Sequence, residues 1–224
     1  MFDQIANRYD IANHILSFGT HLLWKRLLVK EAFNKNPLKV EKMLDIACGT
    51  GDILELANRN HPKVVKIGLD PSREMLKKAQ KRLKNIRNLY LIRGNAEYLP
   101  FKEESFELIT VSFGVRNFQN RKKAFENIFR TIKRGGIFAI LEFAKPDNGN
   151  LLQHAAWCYT KNFVPFAGAL ITNQKEAYQY LVNSIESFPL PNSLLKELKR
   201  VGFSTLTVKR VFPPIAVLYL LQKL

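Results

Sequence analysis

The chain is poor in cysteine, with only Cys48 and Cys158 among its 224 residues. Two cysteines form neither a disulfide framework nor a typical zinc site, so we expect a reducing, cytoplasmic setting and no bound metal. Long apolar runs are also missing, because the stretches 163–171 and 215–221 are too short to span a bilayer. The residues Met1-Phe2-Asp3 begin no signal-peptide pattern. Any membrane contact is therefore expected to be peripheral, at the inner membrane face.

Acidic residues are scarce as well, with 19 Asp and Glu against 35 Lys and Arg, for a formal net charge of +16. This excess favours an anionic partner, either a nucleic acid or an acidic membrane surface, but solubility alone accounts for it equally well. The basic residues are scattered along the chain rather than gathered in long runs. Because no added RNA-binding module is recognisable, we expect no nucleic-acid partner.

Internal repeats and low-complexity tracts are absent, and the length suits a single domain. Near-continuous apolar stretches alternate with amphipathic ones, which indicates an α/β fold: a mostly parallel sheet with helices on both faces. Ser72 is expected to cap one helix, and the helix after the fourth strand is expected to end at Gly135 and Gly136. Strands are predicted near 42–47, 64–69, 89–92, 108–112, 137–141, 204–211 and 215–221.

The single domain, residues 1–224, divides into four regions by pattern. Residues 1–36 are expected to form an N-terminal helical cap, and residues 42–147 the core of the sheet. Residues 148–190 are helical and aromatic in character, which predicts a lid over the carboxyl ends of the strands. Residues 191–224 predict a helix followed by two strands.

A glycine-rich turn follows the first predicted strand at residues 48–51, before a helix that starts near Asp52. Glycines let a ligand approach the backbone, and ligands of open α/β sheets lie at the carboxyl ends of the strands. The third glycine of the dinucleotide pattern is missing, and Asp52 would repel a pyrophosphate at the helix N-terminus. A sulfonium ligand without phosphate suits the acidic residues Asp45, Asp52 and Asp70 better, although Asp45 and Asp52 also suit a purely capping role.

The ends of the later strands supply the other groups that an adenosyl sulfonium needs. Asp70 can accept hydrogen bonds from two ribose hydroxyls, and Asn95 is placed for the adenine edge. Ser112 ends the fourth predicted strand, beneath the reacting end of the ligand. The sequence therefore predicts a site for S-adenosylmethionine, with S-adenosylhomocysteine as product. Its predicted cofactor-binding residues are Asp45, Gly49, Thr50, Gly51, Asp70, Asn95, Ala96 and Ser112.

These residues lie within longer blocks that resemble the ubiquinone/menaquinone-biosynthesis C-methyltransferase family. The most specific blocks are Met-Phe-Asp-Gln-Ile-Ala-Asn-Arg-Tyr-Asp at 1–10 and Ser-Phe-Gly-Val-Arg-Asn at 112–117. The resemblance implies a Rossmann-like class I methyltransferase fold and cofactor contacts from Thr50, Asp70, Asn95, Ala96 and Ser112. It also implies methylation of a ring carbon of a prenylated hydroquinone such as demethylmenaquinol. A homodimer is left open. Further matching blocks are found at 16–19, 24–26, 94–101, 141–146 and 180–189.

The reaction that the resemblance implies also needs groups on the substrate side, and the chain offers several candidates for them. Arg116 is expected to stabilise a developing phenolate or to orient a water that takes the proton; its alternative role is a structural ion pair. Tyr9 is the second catalytic candidate, and Asn13 and Tyr178 are expected to line the substrate face. His14 and His21 are alternative bases, or ordinary helix residues.

The chain departs from the family in two regions that are expected to touch the acceptor. The family has Asn-Asp followed by Ser-Tyr near the lid, where this chain has Gln174 and Ala177. Near the C-terminus, the family has a small residue followed by glycine, and a histidine shortly after. This chain has Pro213-Pro214 and Tyr219 at those places. The donor is thus better defined than the acceptor. An oxygen or nitrogen acceptor on another small molecule stays open, as does RNA with less support.

Overall fold

The computed structural model describes residues 19–147, 151–158, 161 and 175–224, except for the side chains of 175–178. One seven-stranded sheet lies at its centre. Its strands are β1 (Lys42–Ile46), β2 (Val65–Asp70), β3 (Leu89–Arg93), β4 (Phe106–Ser112), β5 (Ile132–Phe143), β6 (Phe203–Val211) and β7 (Ala216–Lys223). The helices are α1 (His21–Asn34), α2 (Asp52–Asn60), α3 (Arg73–Arg82), α4 (Arg121–Thr131), α5 (Leu151–Cys158), α6 (Lys175–Ser187) and α7 (Pro191–Val201). Two 3₁₀ turns span Ala96–Tyr98 and Val115–Asn117.

The strand order β3-β2-β1-β4-β5-β7-β6 confirms the predicted architecture. Strands β1 to β5 pair in parallel, and β7 runs antiparallel to both of its neighbours. From β1 the chain moves outward through β2 and β3, and then returns to add β4 on the other side. The order therefore reverses between β1 and β4, where open α/β sheets form a crevice at their carboxyl ends.

The core lies on both faces of the sheet, which explains the near-continuous apolar strands. Six of the seven residues of β4, and the last eight residues of β5, are buried. Helix α1 packs Trp24 and Leu28 against one face, and helix α4 packs Phe125 and Ile128 against the other. A sheet covered on both faces leaves no solvent side, so polar and apolar residues do not alternate in its central strands.

Two details of the helices test the sequence predictions. Ser72 caps α3 as predicted: its hydroxyl accepts a hydrogen bond from the Met75 N–H at 3.2 Å. The predicted end of the next long helix at Gly135 and Gly136 is wrong, because α4 ends at Thr131 and β5 begins at once.

The two glycines instead lie in an irregular stretch within β5. Ile132 pairs with Phe106, but Ile137 pairs with Leu108, so the register shifts in between. Gly135 has φ +80°, and a Cβ at Gly136 would lie 2.9 Å from the Lys133 carbonyl oxygen. The glycines therefore serve a bulge, where extra residues must fit between paired strands.

The predicted cap and lid are described in part. Helix α1 lies within the predicted cap, while residues 1–18 lie outside the described residues. Helices α5 and α6 lie within the predicted lid, and the four-region division itself stays a prediction. In the part of the chain that the structure describes, no helix combines the length and apolar character needed to cross a membrane.

Candidate active site

A cleft crosses the carboxyl ends of β1, β2, β3 and β4. It consists of three adjoining cavities of about 40, 70 and 260 Å³. The first two share Gly49 and Phe113 as lining residues, and the second and third share Gly114 and Asn117. The cavities therefore form one elongated cleft at the point where the strand order reverses, as expected for an open α/β sheet.

The glycine turn forms one wall of this cleft and is anchored to β2. The Cys48 N–H donates to the Leu69 carbonyl at 3.1 Å, and the Gly49 N–H donates to Asp70 Oδ2 at 2.8 Å. Gly49 has φ +54°, and a Cβ there would meet no atom within 4 Å. Gly51, at φ +88°, caps α2, and a Cβ there would lie 2.5 Å from Leu83. Gly49 thus faces the cleft, whereas Gly51 serves the backbone turn and the packing of α2.

Asp70 lies at the end of β2 with its carboxylate held in place from both sides. Its Oδ2 accepts from Gly49, and its Oδ1 accepts from the Ser72 N–H at 2.9 Å. The residue is 6% exposed and lines the 70 Å³ cavity. A carboxylate has about four acceptor positions, so two backbone donors are compatible with two ligand hydroxyls.

Asn95 and Ala96 follow β3 and line the 260 Å³ cavity. Asn95 is exposed and Ala96 is buried, so this end of the cleft offers a polar edge beside an apolar floor. Leu69 and Phe118 complete the apolar wall. Sequence reasoning missed these two side chains, because their apolar character does not distinguish a ligand wall from the core.

Asp45 lies at the inner end of the cleft, where it is 1% exposed and lines the 40 Å³ cavity. The Thr110 hydroxyl donates to its Oδ1 at 2.7 Å, because the two residues face each other in the parallel register of β1 and β4. Burial raises the pKa of Asp45 from 3.8 to about 7, although Thr110 and Lys25 favour the charged form. Its protonation is therefore coupled to folding.

Replacing Asp45 by asparagine is expected to change the pH dependence of stability. The Asp45 pKa is higher in the folded chain than in the unfolded chain, so between about pH 4 and 7 the folded state holds an extra proton. The carboxyl then destabilises the fold increasingly as the pH rises through this window. Relative to wild type, Asp45→Asn should gain on the order of 2 kcal/mol between pH 5 and 8. Urea unfolding of both proteins measures this gain, and a pH-independent difference contradicts it.

Asp52 begins α2 and carries two cationic partners. Lys25 Nζ lies 2.6 Å from its Oδ2, and Arg82 pairs with its Oδ1. Burial alone would raise the pKa of Asp52, but Lys25 and Arg82 outweigh it and lower the pKa below its ordinary value. The predicted acidic lining is thus neutralised in part. Neither cation was assigned to the site from sequence, because each is brought to Asp52 only by tertiary packing.

Ser112 and Thr50 line the 40 Å³ cavity together with Asp45. The Ser112 hydroxyl is buried and has no hydrogen-bond partner among the residues that the structure describes. Buried polar atoms are normally satisfied, so this hydroxyl suits a polar ligand atom. The next residue, Phe113, has φ +57°, a conformation that bulky residues adopt mainly at functional sites. The Ser112 end of the cleft is thus suited to a polar ligand group.

Arg116 forms a buried ion pair, and its partner, Glu142, was not identified from the sequence. Its Nη1 lies 2.7 Å from Glu142 Oε1, with the two side chains 2% and 0% exposed. The Arg116 N–H also donates to Glu142 Oε2 at 3.2 Å, and Nη1 donates to the Phe113 carbonyl at 2.6 Å. Arg116 is not among the residues that line the three cavities. The ion-pair alternative is therefore present, and a role toward a substrate stays a proposal.

The remaining substrate-side candidates are only partly placed. Tyr9, Asn13 and His14 lie outside the described residues, and Tyr178 lies on α6 with an undescribed side chain. His21 is buried on α1. Of the departing positions, Pro213 and Pro214 lie in the turn between β6 and β7, Tyr219 lies buried on β7, Ala177 lies on α6, and Gln174 lies outside the described residues.

Tyr219 lies close enough to Glu142, the ion-pair partner of Arg116, for the charge of Glu142 to affect the Tyr219 pKa. Burial raises the pKa of Tyr219 above its ordinary value, and the negative charge of Glu142 raises it further. The phenol is therefore a neutral residue of the core rather than a base at ordinary pH.

Known proteins resemble this chain along nearly its whole length. A sequence model of the ubiE/COQ5 methyltransferase family matches residues 1–220. The ubiquinone/menaquinone biosynthesis C-methyltransferase UbiE of Campylobacter jejuni is 36% identical, covering 100% of this chain and 96% of that protein. The demethylmenaquinone methyltransferase of Thermotoga maritima is 40% identical, covering 91% of this chain and 86% of that protein.

The fold also resembles a solved structure. A SAM-dependent methyltransferase from Aquifex aeolicus has a TM-score of 0.60 with 14% identity, covering 88% of this chain and 89% of that chain. At this identity the likeness shows a shared class I fold.

Proposed function

The chain belongs to the ubiE/COQ5 methyltransferase family, and we propose that it moves a methyl group from S-adenosylmethionine to a ring carbon of a prenylated hydroquinone such as demethylmenaquinol. The donor is supported above all by the cleft, in which the anchored Asp70 carboxylate lies between the cavity lined by Asn95 and Ala96 and the buried Ser112 hydroxyl. The acceptor is supported by the two relatives that match the chain nearly from end to end.

Each part of the cleft suits one part of the donor. Asp70 would accept hydrogen bonds from the ribose, while Asn95 and Ala96 would bind the adenine edge. Asp45, Thr50 and Ser112 surround the small cavity that suits the amino-acid tail. Gly49 and Gly51 shape the turn between these parts. When bound, the donor supplies an electrophilic methyl group.

On the acceptor side, we assign Arg116 the main electrostatic role. Its fixed positive charge would stabilise the phenolate that forms when the adjacent hydroxyl gives its proton to a water. Glu142 would hold the guanidinium in one orientation, which limits reorganisation during the reaction. Tyr9, Asn13 and Tyr178 would line the acceptor and keep its ring carbon within roughly 3–3.5 Å of the methyl group.

The acceptor also suggests where the protein works. A prenylated quinol is lipophilic, and an excess of 16 positive charges would draw the protein toward an anionic bilayer. We therefore place the reaction in the cytoplasm, at the inner face of the membrane, with peripheral contact only. A homodimer is compatible with this placement.

The acceptor is tested with radiolabelled S-adenosylmethionine under reducing conditions. We expect label to enter demethylmenaquinol, with the new methyl on a ring carbon by mass spectrometry. Parallel reactions contain a phenol that offers only its oxygen, a small amine, or RNA. Label in one of these and none in the quinol would overturn the acceptor. A wild-type protein that gives no heat with S-adenosylhomocysteine in calorimetry would overturn the donor.

A further inference from the structure

Lys25 is a buried cation at the edge of the cleft. Its side chain is 9% exposed, and its Nζ lies 2.6 Å from Asp52 Oδ2. It extends from α1, which packs against the sheet, into the lining of the 40 Å³ cavity beside Thr50 and Ser112. An amine buried this deeply requires a negative partner, because desolvation of a lone charge is costly.

Asp52 does not depend on Lys25 alone. Arg82 pairs with the other carboxylate oxygen, Oδ1, and also with Glu55. If Lys25 turned toward a different anion, Asp52 would keep a cationic partner. Lysine suits such an exchange, because its ammonium is a compact charge on a flexible four-carbon stem.

The charges around the cavity match those of an amino acid. Asp52 supplies negative charge for an ammonium group, and the Asp45 carboxyl beside it can accept a hydrogen bond. Among the residues described as lining this cavity, Lys25 is the one with a positive side chain. The N-terminus of α2 adds partial positive charge at the same place. A zwitterion therefore finds both of its counter-charges here.

We propose that Lys25 binds the carboxylate of the cofactor's amino-acid tail, so that α1 completes the cofactor site from outside the glycine turn. The proposal rests on the proposed function in taking S-adenosylmethionine as the ligand. It assigns to α1 a binding role that its packing against the sheet does not require. The carboxylate is the feature recognised, and ligands that lack it should not depend on Lys25.

The test compares two ligands that differ only in the carboxylate. Calorimetry measures S-adenosylmethionine and decarboxylated S-adenosylmethionine on wild type, Lys25→Met and Lys25→Arg, without a methyl acceptor. We expect wild type to prefer the carboxylated ligand by roughly 10- to 100-fold, because the decarboxylated ligand cannot form the charge-assisted hydrogen bond with Lys25. Lys25→Met should lose this preference to within about threefold, and Lys25→Arg should keep part of it. Lys30→Met is the matched control, since Lys30 is exposed on the same helix.

Each other outcome overturns the assignment. If wild type binds the two ligands with equal affinity, the assignment is wrong. This outcome needs no variant, so it can be obtained even if Lys25→Met fails to fold. A preference that persists in Lys25→Met places the carboxylate on other groups, such as backbone N–H donors. Equal weakening of both ligands in Lys25→Met shows that Lys25 acts only through the structure of the turn. If wild type binds neither ligand, the proposed function fails first and the Lys25 assignment with it.

Discussion

Replacing Asp70 by alanine should weaken the binding of S-adenosylhomocysteine by roughly 100- to 1,000-fold. The ribose would lose two charge-assisted hydrogen bonds, each contributing about 1.5–3 kcal/mol, of which water recovers a part. The change also removes the acceptor for the Gly49 and Ser72 N–H groups, which loosens the turn that forms the cleft wall. Isothermal titration calorimetry measures the effect directly.

Two comparisons separate recognition by Asp70 from general damage. Glu74→Ala removes a half-exposed carboxylate from the first turn of the neighbouring helix and should leave the affinity unchanged. Asp70→Ala should weaken carboxylated and decarboxylated ligands equally, unlike the change at Lys25, because the ribose is common to both. An affinity within threefold of wild type would show that Asp70 is wrongly placed at the ribose.

Breaking the ion pair between Arg116 and Glu142 should cause the largest loss of stability. Both side chains are buried, so Arg116→Met or Glu142→Gln leaves one charge without its partner. Such changes cost about 3–5 kcal/mol in the free energy of unfolding. The double variant Arg116→Met/Glu142→Gln removes both charges and should lose clearly less than the sum of the single losses. Urea unfolding measures all three variants.

The same double variant separates a catalytic role from a structural one. If Arg116 stabilises the phenolate, the double variant should fold and bind the donor, yet turn over about 100-fold or more slowly. Recovery of both stability and turnover would show that Arg116 is only an ion-pair partner. Arg121→Met is the matched control, because the Arg121–Glu197 pair is about one-third exposed and should contribute less than about 1 kcal/mol.

Local pattern sufficed to predict the sheet and to predict that the strand-end residues meet at one edge of it. Strands buried on both faces leave near-continuous apolar runs, and loops after parallel strands all lie at one edge of the sheet. Asp70 and Ser112 each end a strand, and Asn95 lies two residues after one, so topology alone predicts that the three residues lie close together. The glycine turn is predictable for a different reason, because its backbone conformation depends on the local sequence.

The error at the end of α4 shows where local pattern fails. Gly135 and Gly136 have the composition of a helix stop, but the helix ends four residues earlier, at Thr131. The end of the helix is determined by the pairing of β5 with β4, in which Ile132 lies opposite Phe106. A glycine pair signals unusual backbone geometry, and only strand register shows whether a cap or a bulge requires it.

By itself, then, the sequence determined the fold class, the glycine turn and the strand-end residues that suit an adenosyl sulfonium. The tertiary structure decided how the charges are paired. The contacts of the charged groups join residues far apart in the chain: the hydrogen bond of Asp45 with Thr110, and the ion pairs of Asp52 with Lys25 and Arg82 and of Arg116 with Glu142. Hydrophobic periodicity is repeated locally and can be read from a short window. An ion pair between distant residues depends on register and helix packing, which no local window contains.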